Sequence, residues 1–384
     1  MPIESLPPEH VRVSLHHGPL RQASAALAGT QVSRAVDFLR DLSLDDEDSP
    51  ATRVSAGLDL GRELGLGLGL GLESTTIADR WETLATVAAA DLGIARALEP
   101  HLDARGIIDE ARAANERVPD AAAASSAAWG VFAAEGGTDP LTAIPAGEDQ
   151  SGLDWVLSGV KPWCSLAGQL DRALVTARTS DGSRLLFAVD LRHPGVTVID
   201  GAWHARGLAE IPSGPVRFDR VPASTLGAPG WYLERPGFAA GGIGVAACWF
   251  GGAVGLARTL FASLAASASP SPFAVMHLGA IDQALGDARR ALAEAASLVQ
   301  AGTLTSAAGA ILARQVRGTV VRACETTIER TGHALGPAPL ALDAAHAKRV
   351  ADLQLYIRQY HAERDEAGLG EALLADAVEG RMPW

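Results

Sequence analysis

Two hydrophobic periods alternate along the chain and divide it into three stretches. An amphipathic segment runs from about Gln22 to Leu42 and ends in the acidic, turn-prone run Asp45-Asp46-Glu47-Asp48-Ser49-Pro50. Between Ile77 and Ala114 apolar residues recur at helical spacing, with Asp91 and Asp103 on polar positions, and alanine, the strongest helix former, dominates. From Trp129 to Phe218 the period shortens. Apolar runs fall at Trp129-Gly130-Val131-Phe132, Trp155-Val156-Leu157, Arg172–Thr176, Leu185–Val189, Val196–Ile199 and Val216-Arg217-Phe218. Turn signals such as Ser180-Asp181-Gly182-Ser183 and His193-Pro194-Gly195 separate them, as in an all-β unit. After Pro236 helical spacing returns over roughly Gly237–Ala266, Phe273–Gln300, Ser306–Thr331 and Ala344–Asp365. The order predicts an α+β architecture: an N-terminal helical domain over 1–127, a small β-barrel or sandwich domain over 128–235, and a C-terminal four-helix bundle over 236–384. The Gly-Leu alternation from Leu64 to Leu72 has the GxG spacing of a dinucleotide loop, but no strand precedes it and no helix follows in a βαβ unit. A low-complexity connector is expected there.

Composition narrows the function classes. At 384 residues, with 48% hydrophobic and 20% charged side chains, the chain can build a sizeable core. A net charge of -13 with no basic stripe argues against a nucleic-acid partner and suits a cytoplasmic, soluble surface. Cys164, Cys248 and Cys324 lie far apart with no CxxC pair, which excludes a disulfide framework or thiolate zinc site. His101, His204, His277 and His333 have no carboxylate at ligand spacing, so no metal is expected. Met1-Pro2-Ile3-Glu4 lacks a basic region leading into an apolar run, so no secretory signal is expected. The most apolar stretch, Gly237 to Leu264, is long enough to cross a bilayer, but its Arg258 and its many Gly and Ala residues suit a buried bundle helix, and no membrane span is expected.

Several local motifs occur in the same order as in acyl-CoA dehydrogenases. Leu157-Ser158-Gly159-Val160-Lys161-Pro162-Trp163-Cys164-Ser165 resembles that family's LxGxKxWxS/T segment, and Gln169-Leu170-Asp171 resembles the xAD that precedes its next strand. Ala205-Arg206-Gly207, through Val216–Ala223 to Leu226-Gly227, is similar to GxRG…VxFxxVxVPxxxxLG. Gly251, Gly252 and Gly255 among alanines match the small-residue first helix of the family bundle. Ala347–Asp352 resembles its arginine-aspartate pair, with Arg349 and Asp352 in the two places. Together these cover about residues 75–375, and the chain is identified by resemblance as a divergent member of the acyl-CoA dehydrogenase superfamily.

The resemblance implies an FAD-dependent oxidoreductase, a homodimer or homotetramer, with its flavin between the β-domain and the C-terminal bundle. It implies α,β-dehydrogenation of an acyl thioester, carried on CoA or another carrier, with hydride transfer to flavin N5 and reoxidation by an acceptor protein or oxygen. Trp163 would pack on the isoalloxazine, Cys164 and Ser165 would follow it along the ring edge, and Ser165 would bond near N5. The loop Ala133–Asp139 stands where the family carries TEPxxGSD, so Ala134 and Glu135 would contact flavin or substrate, although the leading Thr and the Pro are missing.

The family's catalytic glutamate has two usual slots, and neither holds a carboxylate. One falls at about Tyr360, with His361 next; the other falls near Gly241 or Gly242. Three readings stay open: a shorter turn brings Glu363 in as base, His361 is the acid/base group as in some flavin monooxygenases of this fold, or the Tyr360–Asp365 stretch is an inert solvated helix end. The family's adenine-end arginine falls at Ala268, its glutamines at Gly279 and Asp282, and its double glycine at Gly336-Pro337-Ala338-Pro339. FAD contacts are therefore expected to be rebuilt, weakened or lost. The alternatives to a dehydrogenase are a flavin-dependent monooxygenase using reduced flavin and oxygen, and a non-catalytic subunit of a heteromer.

Overall fold

The N-terminal helices are set by their caps. The computed structural model describes residues 11–15, 31–42, 50–64, 76–123, 127–146 and 154–378. The Asp45–Ser49 run, the Gly-Leu alternation after Leu64 and the first part of the Gln22–Leu42 segment lie outside the described residues. Helices α1 (Gln31–Asp41), α2 (Pro50–Leu64), α3 (Ile77–Ala90) and α4 (Leu92–Ala113) come first. Thr76 Oγ1 accepts the Asp79 N–H at 3.1 Å while Asp79 Oδ2 accepts the Thr76 N–H at 3.2 Å, a capping box that starts α3. The helical pattern from Ile77 to Ala114 is two helices, because Asp91 is extended and its Oδ1 takes the Ile94 N–H at 3.0 Å, capping α4. Arg53 of α2 and Lys348 hold the other carboxylate oxygen. Helix α2 was not expected; its Gly57 and Gly61 lie against Ile94 and His101, where a Cβ would come within 2.6 and 2.8 Å of their atoms.

The middle segment closes into a small barrel. Strands β1 (Trp129–Phe132), β2 (Thr142–Pro145), β3 (Trp155–Lys161), β4 (Arg172–Thr179), β5 (Arg184–Asp190), β6 (Val196–Val198) and β7 (Val216–Leu226) form one sheet. Hydrogen bonding runs β4-β2-β3-β7-β5 and returns from β5 to β4, with β1 extending β4 and β6 added beside β7. The sequence pattern located six of the seven strands. It missed β2, four residues long and ending in Pro145.

The C-terminal region is the expected bundle: α6 (Gly237–Ala265), α7 (Pro272–Gln300), α8 (Ser306–Leu335) and α10 (Ala344–Tyr356), with short α5 (Trp231–Glu234) and α9 (Ala338–Leu342). Helix α6 is long and apolar enough to cross a membrane, and 67% of its most apolar window is buried inside the protein. Its one arginine, Arg258, donates to the carbonyls of Val11 and Arg12 at 3.1 and 2.9 Å, which offsets part of the cost of burying it. Gly251 and Gly255, one turn apart, let α6 approach α3 until a Cβ at Gly251 would overlap the Ala85 carbonyl. The fourth helix ends earlier than expected: a 3-10 turn, Ile357–Gln359, leads to extended Tyr360 and to Ala362 at φ 43°, before α11 (Glu363–Val378). Trp81, Leu84, Phe132, Phe187, Trp249 and Leu353 belong to one continuous core that joins the helices to the barrel.

Candidate active site

The segment after β3 leaves the barrel through an unusual turn. Trp163 has φ 59°, a left-handed value that costs a non-glycine residue about 1–2 kcal/mol, and its side chain is 65% exposed. The strain is held by the neighbours. Cys164 donates its N–H to Gly214 O at 3.0 Å, its buried thiol donates to Lys161 O at 3.3 Å, and burial pushes that thiol up to about 12. Ser165 is buried; its Oγ lies 2.7 Å from Ser213 Oγ and accepts from Arg96 at 2.9 Å. Its hydroxyl is thus engaged inside the chain.

The facing loop is fastened from below. Lys161, buried at the end of β3, bonds Thr176 O at 2.6 Å, Thr176 Oγ1 at 2.9 Å and Glu135 Oε1 at 3.1 Å. Arg178 and Arg184 reach the same carboxylate at 3.2 and 3.3 Å. Burial pushes the Glu135 carboxyl up, but Lys161, Arg184 and Arg178 together hold it below its ordinary value. The side chain of Glu135 is therefore an anchor, and Arg184 also holds Ala133 O at 2.6 Å. Beyond it Gly136 and Gly137 take positive φ with nothing within 4 Å of a Cβ position, so the loop's backbone lies open. An exposed indole, an open glycine backbone and the Ser165 amide are groups that suit a planar heteroaromatic cofactor such as flavin. Of the positions where the family's adenine-end contacts fall, Gly279 faces open space, and Gly336 begins the turn into α9 with nothing within 4 Å of a Cβ position.

A cavity of about 570 Å³ lies between α4, the start of α6, the start of α8 and the turn after α10. Gly241 and Gly242, one of the two expected base slots, line it without a side chain. Across from them stand Glu99 and Asp103 of α4, which the sequence reading did not single out as site residues. A Cβ at Gly241 would come within 2.9 Å of Asp103 Oδ1, so the glycine makes room for that carboxylate. Glu99 is buried, 3.2 Å from Arg96; burial raises its carboxyl to about 7, Asp103 adds to the rise, and Arg96 and Arg317 oppose it. Burial raises Asp103 as well, against the pull of Arg235. Both carboxylates continue into a smaller cavity behind, beside Trp81 and Gly244, so they form the floor.

The other slot lies at the opposite end. His361 lines the cavity and is 53% exposed; its N–H donates to Asp365 Oδ2 at 2.9 Å, which starts α11. Tyr360 is buried with its hydroxyl against Gly318 of α8, not on the cavity wall. Glu363 is exposed at the first turn of α11 and does not line the cavity either, whereas Asp365 and Arg364 do. Arg317 ties the walls together, donating to Gly242 O at 2.8 Å and Gln359 O at 2.9 Å with its guanidinium 4.6 Å from the Trp249 ring. Trp249 meets Tyr356 edge-on at 6.2 Å, and Arg96 lies 5.6 Å over Tyr356. Arg96 thereby connects Ser165 at the barrel with Glu99 at the cavity floor. The resembling pair after α9 is structural: Arg349 donates to Ala90 O at 3.0 Å, and Asp352 accepts the Leu208 N–H at 2.6 Å. His101 accepts the Trp129 N–H at 3.1 Å inside the core. Among the described residues no three His, Cys, Asp or Glu side chains gather as a metal site.

Residues 134–221 match the family described as Acyl-CoA dehydrogenase, middle domain. No curated protein matches the chain. Among solved structures, KijD3 in complex with FMN and dTDP-3-amino-2,3,6-trideoxy-4-keto-3-methyl-D-glucose is 22% identical, covers 93% of this chain and 95% of its own, and superposes with a TM-score of 0.75. TdsC from Paenibacillus sp. A11-2, a dibenzothiophene monooxygenase, was solved with FMN and indole; it is 19% identical, covering 92% of this chain and 97% of its own, with a TM-score of 0.72. XiaF from Streptomyces sp., in complex with FADH2 and glycerol, is 18% identical, covers 90% and 95%, and has a TM-score of 0.69. At these identities the likeness is one of fold.

Proposed function

The chain carries the middle domain of the acyl-CoA dehydrogenases within the fold of that superfamily, and from this premise we propose that it is a flavin-dependent oxygenase acting on a small molecule in the Glu99–His361 cavity. The observation that carries this reading is the cavity wall at Gly241 and Gly242: neither usual position offers the carboxylate that α-proton abstraction from a thioester needs. The similar structures include a monooxygenase solved with FMN and a protein solved with FADH2, which supports the same reading.

The flavin's ring would lie on Trp163, with the Cys164–Ser165 backbone along its edge and the backbone of Ala134 and Glu135 opposite. A reduced flavin held there supplies the two electrons that activate dioxygen. The chain's own residues do the rest. Trp163 excludes water from one face, and the Ser165 amide offers a donor at the edge. Glu99 holds a proton on its carboxyl near neutral pH and is the group suited to exchange one with substrate at the floor. His361 at the mouth exchanges protons with solvent. FMN, or the FMN half of FAD, suffices for these contacts, in keeping with the loss of side chains at Ala268 and Gly279. The exposed Phe261 and Phe273 at the α6–α7 corner support the expected homodimer or homotetramer.

The test is a reductase-coupled assay: the protein with FMN and a flavin reductase, scored for substrate-dependent oxygen incorporation across a panel of heteroaromatic and amine substrates. Glu99→Gln and His361→Ala are expected to slow product formation about 100-fold or more, the usual weight of a positioned acid or base. Glu363→Gln is expected to leave it unchanged. Oxygen incorporation indifferent to both Glu99 and His361 would contradict the site assignment. The second reading, acyl-thioester dehydrogenation with FAD, is favoured by one observation, the buried carboxylate of Glu99 on the cavity floor. It predicts that the flavin-loaded protein bleaches anaerobically when acyl-CoA is added.

A further inference from the structure

One side chain belongs to both halves of the proposed site. Arg96 of α4, 13% exposed, donates from Nη2 to Ser165 Oγ at 2.9 Å and from Nη1 to Glu99 Oε2 at 3.2 Å. Its guanidinium lies 5.6 Å over the buried Tyr356 ring, which holds it between those two partners. The hydroxyls beyond it have a fixed order. Ser213 Oγ donates to Ile211 O at 3.1 Å, so in the 2.7 Å contact between the serines Ser165 donates to Ser213 while accepting from Arg96. With its one proton directed at Ser213, Ser165 Oγ has none to give a cofactor. What Arg96 brings to that edge is positive charge.

The charged and titratable groups that face Glu99 are Arg96 and Asp103 on its own helix, Arg317 on α8, Tyr356 on α10, Cys248 on α6 and Tyr232 on α5. Burial keeps the two phenols and the thiol protonated. Arg317 directs its Nη atoms at Gly242 O and Gln359 O. Among the described residues Arg96 is thus the one cation hydrogen-bonded to Glu99, and it opposes the burial that raises that carboxyl.

Resting on the reading of the Trp163–Ser165 turn as the flavin's seat, we propose that Arg96 is a positioning residue that couples the two halves: a reduced flavin bound as its anion and an ionised Glu99 compete for its one positive charge, so reduced flavin binds best when Glu99 is protonated. In a site shielded from water, charges act on one another strongly over several ångströms. The linkage moves one proton from solvent to the Glu99 carboxylate and no electrons. It is reciprocal: whatever the flavin does to the proton affinity of Glu99, the proton does to the affinity for flavin. Oxidised flavin lacks the added charge and is nearly indifferent. The reduced cofactor is therefore seated with Glu99 already holding the proton that the cavity floor has to give.

Anaerobic fluorescence titration with oxidised FMN and with dithionite-reduced FMN, at pH 6 and pH 9, on wild type, Glu99→Gln, Arg96→Gln and Arg96→Lys, tests this. The free ligand's own titration is common to all four proteins and cancels between them. From pH 6 to pH 9 the wild type is expected to lose about 5-fold or more in reduced-FMN affinity relative to Glu99→Gln, the low end of the usual coupling between two sites. The sign follows from the carboxyl: Glu99 is protonated below about 7 and ionised above it, so the affinity is full at pH 6 and lost as pH rises. Arg96→Gln should weaken reduced FMN about 10-fold or more and oxidised FMN less than about 3-fold, and Arg96→Lys, which keeps the charge, should restore most of the difference. Equal pH dependence in wild type and Glu99→Gln, or equal loss of both redox forms in Arg96→Gln, overturns the coupling and leaves the flavin reading standing. A wild type that binds neither form overturns the flavin reading and the coupling with it. The pH comparison uses only wild type and Glu99→Gln, so it decides the proposal even where an Arg96 variant does not fold.

Discussion

At Glu99 the cavity floor makes stability depend on pH. Its folded carboxyl titrates at about 7, above the ordinary 4.5, because burial disfavours the anion. A raised carboxyl value contributes stability that is full below about 4.5 and lost as pH rises through about 7. Going from pH 8 to pH 5, the wild type should therefore gain up to about 3 kcal/mol relative to Glu99→Gln. His101 runs the other way: burial, with Arg105 and Arg62, depresses it from 6.5 to about 4, so its share is full above 6.5 and lost as pH falls through about 4. The difference between the two proteins cancels that share. Calorimetric Tm measured across pH for both reads it, and parallel curves would contradict a buried, proton-binding Glu99. At the neighbouring loop, Glu135→Ala leaves the Lys161 ammonium on Thr176 alone. Because Glu135 is partly exposed, the expected cost is about 2 kcal/mol, below that of a fully buried pair. Chemical denaturation checks it.

Among the elements, α6 depends on glycine for contact and α7 does not. A methyl at Gly251 meets the Ala85 backbone, so Gly251→Ala should lower stability by about 1–3 kcal/mol. Gly279 in α7 has nothing within 4 Å, and Gly279→Ala should raise stability by roughly 0.5–1 kcal/mol through helix propensity. Urea melts of the pair decide it, and equal responses would mean that α3 and α6 are not in close contact. The same elements explain what was legible beforehand. Helices α6, α7 and α8 and six strands could be located because their signals, apolar period and turn residues, are local. The break at Asp91 and the turn at Ile357–Ala362 could not, because each is held by a carboxylate bonding a nearby N–H, a choice that tertiary packing makes. Asp103 sat on a polar helical position and looked solvated; it faces a cavity because α6 presents Gly241 to it.

For the whole molecule, the order helices, strands, helices was enough to predict a small barrel or sandwich between two helical regions, and the β4–β5 pairing makes it a closed barrel. The cavity was hidden from sequence, because its floor, walls and rim come from α4, α6, α8 and the turn before α11, up to 266 residues apart between Glu99 and Asp365. The Trp163–Ser165 segment, proposed to hold the flavin, was visible as a motif, yet its geometry, an indole left 65% exposed on a strained turn, needed the folded chain. The proposed function has a planar flavin cover that surface. Fluorescence titration of the purified protein with FMN and FAD, oxidised and reduced, on wild type and Trp163→Leu, measures that cover directly. The wild type should bind flavin with quenching of both flavin and indole emission, and Trp163→Leu should bind about 10-fold or more weakly, as expected for a lost stacking face. A wild type that binds no flavin in either redox state, or a Trp163→Leu variant that binds it equally well, would contradict the account.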